Sequence, residues 1–261
     1  MIATLLTDFG LADHYVGVMK GVLLSADPRI TLVDLGHDVP PGDIEAGAFV
    51  LLASYPYFPP GTVHVAVVDP GVGTARRPIV AAAGGQLFVA PDNGLLGYVV
   101  EREPDARVFH VTEERWFRHP MSTTFHGRDV FAPVGAALAM GTSPESLGPG
   151  IADMVRLAPL RPEAEVDGTL RGRVLQVDRF GNCITSFTAQ DLGARAEGGF
   201  RLRAGTGEIR ELRRHFAGAR PGAPFAIWGS SGFLEVAVDG GSAAAVLGLG
   251  TGHEVRVEGE A

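Results

Sequence analysis

The 261-residue chain contains few of the residues on which several large classes of protein depend. Its single cysteine, Cys183, excludes an internal disulfide and any cysteine-based metal cluster. Lys20 is the only lysine among 22 basic residues, so chemistry that needs a lysine amine has one possible carrier. Acidic residues outnumber basic ones, and the formal net charge of −8 argues against a general binder of nucleic acids or anionic membranes.

Long apolar stretches are missing as well. No window approaches about 18 uncharged apolar residues, so the sequence predicts no membrane-spanning helix. The first eight residues lack a basic segment, and Asp8 ends their apolar run. We therefore expect a first strand here rather than a signal peptide, and a cytoplasmic protein. Apolar residues still make up 46% of the chain and charged residues only 20%, which supplies a core and excludes intrinsic disorder.

The first half of the chain alternates between two kinds of apolar pattern. Short apolar runs such as Ile2–Leu6 and Val63–Val68 are separated by stretches of helical spacing, the last of which is Val130–Met140. Asp43 and Asp129 are candidate N-caps for two of these helices. The alternation is typical of an α/β domain with a buried, mainly parallel sheet, which we place at residues 1–150.

The second half has a different texture. Residues 151–166 are punctuated by proline and glycine, as a linker would be. Beyond them the apolar runs are short, have a period of two and are separated by turn residues, as in Arg171–Val177 and Phe233–Val238. We predict an all-β, barrel-like domain over residues 167–261.

Polar residues with chemical potential follow the apolar runs of the first half. Asp8 closes the first run, where a carboxylate could accept hydrogen bonds from two adjacent ribose hydroxyls; a simple turn is the alternative. Asp69 lies in a glycine-rich loop that ends in Arg76 and Arg77 and matches neither a phosphate-binding loop nor a dinucleotide fingerprint. A structural acid–base pair explains that loop equally well. His126 precedes the last helix of this half, where it could face a cleft or simply pack.

The β-rich half offers two further strings. In the first, Phe180 could stack on a base and Asn182 could read a purine edge. In the second, the hydroxyls of Ser230 and Ser231 could hold a carboxylate, and Glu235 could take an ammonium group. Ordinary hairpin turns are the alternative in both cases.

Together these strings resemble one family, the S-adenosyl-L-methionine (SAM) hydroxide adenosyltransferases, which are SAM hydrolases related to the fluorinating and chlorinating enzymes. Six strings occur in the family's order, and the similarity spans nearly the whole chain. They are Thr7–Gly10, Asp69–Gly73 with Arg76, Ala90–Leu96, Phe125–Asp129, Asp178–Asn182 and Ser230–Glu235. Six strings in order are far more specific than any single one. The structural alternatives given above for each string, such as turns and packed residues, can therefore no longer be weighed independently of one another.

The resemblance implies an α/β N-terminal domain, a β-barrel-like C-terminal domain and a homotrimer with active sites where neighbouring subunits meet. It implies that SAM reacts with water to give adenosine and L-methionine, with no cofactor and no metal. The water would be handled by a set carried over as Asp69, Arg76 and His126, although Arg77 is adjacent and the arginine assignment could shift by one. Which of Asp69 and His126 takes the proton stays open.

The substrate contacts also follow from the resemblance. Asp8 is expected at the ribose hydroxyls, and Phe180, Asn182 and the backbone near Val238 at the adenine. The methionine end falls to a second group of side chains, namely Asp178, Ser230 and Glu235. Halogenating relatives carry an arginine for the methionine carboxylate at the position of Ser231, so contacts at that end are expected to differ.

Three alternatives remain open. A SAM-dependent halogenase is disfavoured because an Asp69 carboxylate would repel a halide. A divalent-metal hydrolase would use Asp8, Asp69, His126 and Asp129. A SAM- or adenosine-binding regulatory protein would use the same pocket without significant catalysis.

Overall fold

The computed structural model describes residues 1–196 and 200–258, which form two compact units, Met1–Ala158 and Pro159–Ala261. Residues 197–199 and 259–261, which belong to the predicted C-terminal domain, lie outside the described residues. No helix within the described part of the chain is long and apolar enough to cross a membrane.

The first unit is a mixed α/β structure. Its elements in chain order are β1 (Ile2–Thr7), α1 (Tyr15–Ala26), β2 (Thr31–Gly36), α2 (Ile44–Ser54), β3 (Val63–Val67), β4 (Pro78–Ala83), β5 (Gln86–Pro91), α3 (Gly97–Arg102), β6 (Arg107–His110), α4 (Ala132–Ala139) and β7 (Gly150–Ile151). The sheet order is β2-β1-β3-β5-β4-β6-β7. The first four strands in that order run parallel, whereas β4, β6 and β7 each pair antiparallel with their neighbours. The predicted α/β class is confirmed.

The core of this unit explains why its central strands are almost wholly apolar. All five residues of β3 are buried, as expected for a parallel strand covered on both faces. Ala3 and Leu5 of β1 belong to one cluster with α1 and α4. Gly135 lets α4 come close to the sheet, because a Cβ there would lie 2.5 Å from Val65 Cγ2.

One of the two predicted helix caps is wrong. Asp43 does cap α2, since its carboxylate accepts the Ala46 N–H at 2.9 Å. Asp129 instead lies inside a π-helical turn, Gly127–Phe131, that precedes α4. Its carboxylate is held by the Arg128 guanidinium and accepts the Ser122 N–H at 2.9 Å, so it fixes the preceding loop rather than the helix start.

The second unit is built on a nine-stranded, curled sheet. Its elements are β8 (Glu163–Ala164), β9 (Leu170–Val177), β10 (Cys183–Thr188), α5 (Ala189–Leu192), β11 (Leu202–Ala204), β12 (Gly207–Ile209), β13 (Leu212–Arg213), β14 (Pro224–Trp228), β15 (Phe233–Val238), α6 (Ala243–Leu247) and β16 (Glu254–Val257). The order is β12-β11-β16-β9-β10-β15-β14-β13, with β8 also paired to β9. The pairings are antiparallel except for β13 with β14. The predicted β-rich fold is confirmed.

Candidate active site

Asp69, Arg76 and His126 meet in the first unit. Asp69 follows β3, Arg76 precedes β4, and His126 precedes the π-helical turn. The Arg76 guanidinium donates to both carboxylate oxygens of Asp69 at 2.5–3.0 Å and to His126 Nδ1 at 2.7 Å. The Asp69 and Arg76 side chains are 4% and 9% exposed, and His126 is 8% exposed. Arg76 therefore bridges the two groups in a largely dehydrated setting.

Local backbone geometry brings the two loops of this cluster together. Gly73 has φ +78°, and a Cβ there would lie 2.3 Å from the carbonyl oxygen of Thr123. Only glycine can both adopt that conformation without strain and let the backbones touch. The side chain of Thr74 closes the same loop by donating to the Gly71 carbonyl at 2.7 Å. The Asp69–Arg76 loop is thus fixed against the segment that carries His126.

The contact with Arg76 determines where the proton of His126 lies. A guanidinium has only donors, so Nδ1 must accept and the neutral ring carries its hydrogen on Nε2. Burial lowers the pKa of His126, and the positive charge of Arg76 lowers it further. At neutral pH the ring therefore presents an N–H donor at Nε2 to whatever lies beside it.

Arg77 is engaged elsewhere. Its guanidinium pairs with Asp92 at 2.6 Å and with Asp153 at 2.9 Å, and it also donates to the Asp153 carbonyl. Asp92 in turn accepts the Val155 N–H at 2.8 Å. Of the two neighbouring arginines, Arg76 is the one in contact with Asp69 and His126, while Arg77 fixes the segment around residue 153.

Asp8 is half-buried just beyond the end of β1. One of its carboxylate oxygens accepts the Gly42 N–H at 2.8 Å. Gly42 itself lies against Pro70, because a Cβ on Gly42 would be 3.7 Å from the Cβ of Pro70. The Asp8 carboxylate is therefore held on a backbone amide at the same end of the sheet as Asp69.

The side chains invoked for a metal site do not form one. Asp69 is held by Arg76, and Asp129 is held by Arg128 and Ser122. Within residues 1–196 and 200–258, no three His, Cys, Asp or Glu side chains are grouped so that they could hold a metal ion.

A cavity of about 490 Å³ in the second unit brings the proposed adenine residues together. Phe180, Asn182 and Val238 all line it, and Phe180 is 77% exposed, so its ring is accessible. Phe216, Asp239, Gly240 and Gly241 line it as well and are not singled out from the sequence. Asp239 follows a strand directly and precedes two glycines, a signal that could have marked it; Phe216 stands in no such pattern.

Asp178 builds the turn from which Phe180 and Asn182 project. Its carboxylate accepts the backbone N–H of Phe180 at 2.9 Å and that of Asn182 at 2.8 Å. It also accepts a side-chain N–H of Asn182 at 2.9 Å, which fixes the plane of that amide. Gly181 completes the turn with φ +82°.

Glu235 lies under the β14–β15 hairpin. A Cβ on Gly229 would be 1.8 Å from its Oε1, so the turn backbone covers the carboxyl group directly. Burial raises the pKa of Glu235, and the negative charge of Asp178 raises it further. Ser230 is exposed, whereas the hydroxyl of Ser231 is buried without a hydrogen-bond partner among the described residues.

Fold and site together define a protein of two units, in which the α/β unit presents an Asp–Arg–His cluster and the β-rich unit presents a cavity lined by Phe180, Asn182 and Val238. Family models described as the SAM hydroxide adenosyltransferase N-terminal and C-terminal domains match residues 3–148 and 172–256. The chain belongs to the SAM hydroxide adenosyltransferase family.

Individual relatives agree with this assignment. The chain is 45% identical to the (R)-S-adenosyl-L-methionine hydrolase of Thermus thermophilus, over 97% of this chain and 97% of that protein. It is 30% identical to a fluorinase of an Actinoplanes species, over 73% of each chain. The solved structure of an uncharacterized conserved protein from Thermotoga maritima superposes with a TM-score of 0.90 at 36% identity, covering 99% of this chain and all of that one.

Proposed function

We propose that the protein hydrolyses SAM to adenosine and L-methionine, and that it acts on the (R) epimer for which its relatives are named. The observation that carries the proposal is the bridge that Arg76 makes between Asp69 and His126, in a chain 45% identical to the Thermus enzyme. The L descriptor already fixes the α-carbon, so (R) denotes the sulfonium centre.

The reaction suits these groups because the leaving group needs no acid. A water oxygen bonds to ribose C5′, the C5′–S bond breaks, and its electron pair neutralises the sulfonium as a thioether. The water must lose a proton, and an unassisted water is a weak nucleophile with a pKa of about 15.7. Orientation and proton removal are therefore the work left to the protein.

Asp69 is the better proton acceptor of the two candidates. His126 uses its Nδ1 lone pair for Arg76 and presents Nε2 as a donor, so it can orient a water oxygen but offers no lone pair to take its proton. A carboxylate has about four lone-pair positions, and Arg76 fills three of them with hydrogen bonds. We infer that Asp69 accepts the proton and that Arg76 holds both partners in register.

The remaining groups bind substrate in this proposal. Asp8 takes the ribose hydroxyls with the oxygen lone pairs that the Gly42 amide leaves. Phe180 and Asn182, with Val238, enclose the adenine in the cavity of the second unit. Asp178 and Glu235 provide carboxyl oxygens that accept hydrogen bonds from the methionine ammonium group, with the Ser230 hydroxyl as a further contact.

A halogenase is the second candidate, because fluorinases are among the relatives. The charge of Asp69 argues against it, since a halide placed at the water position would face a carboxylate. We further propose that the protein is a cytoplasmic homotrimer whose sites each combine the N-terminal domain of one subunit with the C-terminal domain of its neighbour. This arrangement accounts for the division of the candidate groups between the two units.

Chromatography of products tests the proposal. The enzyme is incubated separately with the (R) and (S) sulfonium epimers of SAM, with and without fluoride or chloride. Adenosine and methionine formed from the (R) epimer, unchanged by halide, are the expected result. A 5′-halogenated nucleoside would establish the halogenase, and intact SAM at high enzyme concentration, with calorimetric binding, would establish a binding protein.

A further inference from the structure

A chain of polar contacts lies directly behind Asp8. The Thr7 hydroxyl oxygen is 2.8 Å from His37 Nδ1, and His37 Nε2 is 3.0 Å from an oxygen of Asp34. The other oxygen of Asp34 accepts from Lys20, the only lysine, at 2.6 Å. This series of polar contacts links the end of β1 to β2 and α1, and Thr7 and His37 are both buried.

The chemistry of these groups determines which of them donates and which accepts in this series of polar contacts. His37 Nε2 makes no hydrogen bond of good geometry among the described residues, but the Asp34 carboxylate 3.0 Å away attracts a hydrogen and so favours the tautomer that carries it on Nε2. In the neutral ring Nδ1 then accepts, and the Thr7 hydroxyl donates to it. The lone pairs of that hydroxyl are thereby turned toward the Phe9 N–H, which lies at 3.3 Å.

His37 forms hydrogen bonds to residues on both sides of Asp8. Its ring holds Thr7, one residue before Asp8, and its backbone carbonyl accepts the Gly10 N–H, two residues after Asp8, at 2.8 Å. The Asp8 carboxylate itself rests on the Gly42 amide. His37 thus holds the backbone on both sides of Asp8, while the Gly42 amide holds its carboxylate.

Two other interpretations fit less well. A hydroxyl, an imidazole and a carboxylate in series resemble a nucleophile and its base, but Thr7 is 0% exposed and no substrate atom can reach it. The second interpretation is that these are ordinary hydrogen bonds between buried polar residues. The same strand contains such a pair, because Thr4 bonds His64 Nδ1 at 2.7 Å and His64 contacts Gln86. That pair holds no loop at the site.

We propose that His37 is a positioning residue that sets the Asp8 carboxylate for the two ribose hydroxyls of the substrate. The inference rests on the proposed function, in that it assigns Asp8 to the ribose. It adds His37, together with its contact to Thr7, as a determinant of substrate selectivity that does not itself contact the substrate.

The test compares Thr7→Val with Thr4→Val. Each replaces a buried threonine of β1 by an isosteric residue and removes a hydroxyl–imidazole contact; Thr7→Val also removes the acceptor of the Phe9 N–H, which the two His37 variants below leave in place. Calorimetry gives the affinity for adenosine and for 2′-deoxyadenosine, and steady-state kinetics gives KM and kcat with SAM. Because the adenosine measurement does not need turnover, it is informative even if hydrolysis is absent.

Thr7→Val is expected to weaken adenosine binding about 5-fold, which corresponds to loss of a hydrogen-bond contribution of about 1 kcal/mol. The preference for adenosine over its 2′-deoxy form should shrink, KM should rise, and kcat should stay within about 2-fold. Thr4→Val should leave the ribose preference unchanged. Equal effects of the two variants, or an unchanged preference in Thr7→Val, would overturn the inference.

Two substitutions of His37 provide a second comparison. In His37→Asn the amide oxygen takes the place of Nδ1 and still accepts from Thr7, whereas His37→Gln keeps a donor toward Asp34 and loses that acceptor. The ribose preference should survive in His37→Asn and fall in His37→Gln, while the reverse order contradicts the proposed role of His37. Ribose-selective binding that responds in this way without any adenosine release from SAM would refute the proposed hydrolysis and leave the positioning role intact.

Discussion

Replacing Asp69 by asparagine removes one charge from the Asp69–Arg76 pair while keeping the shape of the side chain. Both side chains are less than a tenth exposed, and three hydrogen bonds join them. Breaking a buried pair by neutralising one member typically costs about 3–5 kcal/mol, since the remaining charge is left uncompensated. At the lower limit the unfolding temperature of the α/β domain should fall by about 6–12 °C.

The activity should fall much further than the stability. Asparagine cannot take a proton from water, so loss of the acceptor is expected to lower kcat by about 10²–10⁴-fold. The Arg76–His126 contact does not need the Asp69 charge, so affinity for adenosine should change little. The assay is adenosine release from (R)-SAM, measured together with denaturant unfolding and calorimetric binding.

Asp92→Asn is the matched control. Asp92 is also a carboxylate only 2% exposed, it pairs with the neighbouring Arg77, and it also anchors a loop through a backbone amide. It should lose comparable stability and keep kcat within a few fold. If the two variants lose kcat equally, or if Asp69→Asn turns over normally, the assignment of Asp69 as proton acceptor is wrong.

Three further predictions concern protonation, assembly and loop packing. The pKa of His126 is lowered in the folded protein, so its neutral ring contributes stability above the ordinary pKa near 6.5, and this contribution is lost as the pH falls toward the lowered pKa. Over the same pH range kcat should fall. His126→Asn should abolish this pH dependence of the free energy of unfolding. Coexpressed Asp69→Ala and Asn182→Ala subunits should regain about a quarter of wild-type activity if sites lie between subunits, because random mixing leaves that fraction of interfaces intact; sites within one subunit would regain none. Gly73→Ala should cost at least about 1 kcal/mol and reduce kcat, because its Cβ would meet the Thr123 carbonyl at 2.3 Å; a crystal structure of the variant with unchanged loops would contradict this.

The sequence was most informative where local pattern and tertiary structure agree. Runs such as Val63–Val68 are apolar throughout because a central parallel strand is covered on both faces, and β3 is fully buried as that pattern predicts. Asp43 could be predicted as a helix N-cap because capping is a local interaction between residues three apart.

Other features depend on contacts between residues that are distant in sequence, which local patterns do not reveal. The family resemblance assigns Arg76 and leaves the adjacent Arg77 as an alternative, and the contacts with His126 and Asp153 distinguish the two in the structure. The position of Asp129 before an apolar run predicts a helix cap, but its carboxylate is occupied by Arg128 and the Ser122 amide, which helix propensity does not reveal. His37 carries no motif, because its partner Thr7 is thirty residues away.

The burial of Cys183 makes the chain convenient for site-specific labelling. Burial raises the pKa of its thiol to about 11, with a further contribution from the charge of Asp178, so at pH 8 only about one molecule in a thousand carries the reactive thiolate. A cysteine introduced on the surface would therefore react with a maleimide dye as if it were the only thiol. A fluorophore placed on either unit in this way could then report ligand binding without first removing the native cysteine.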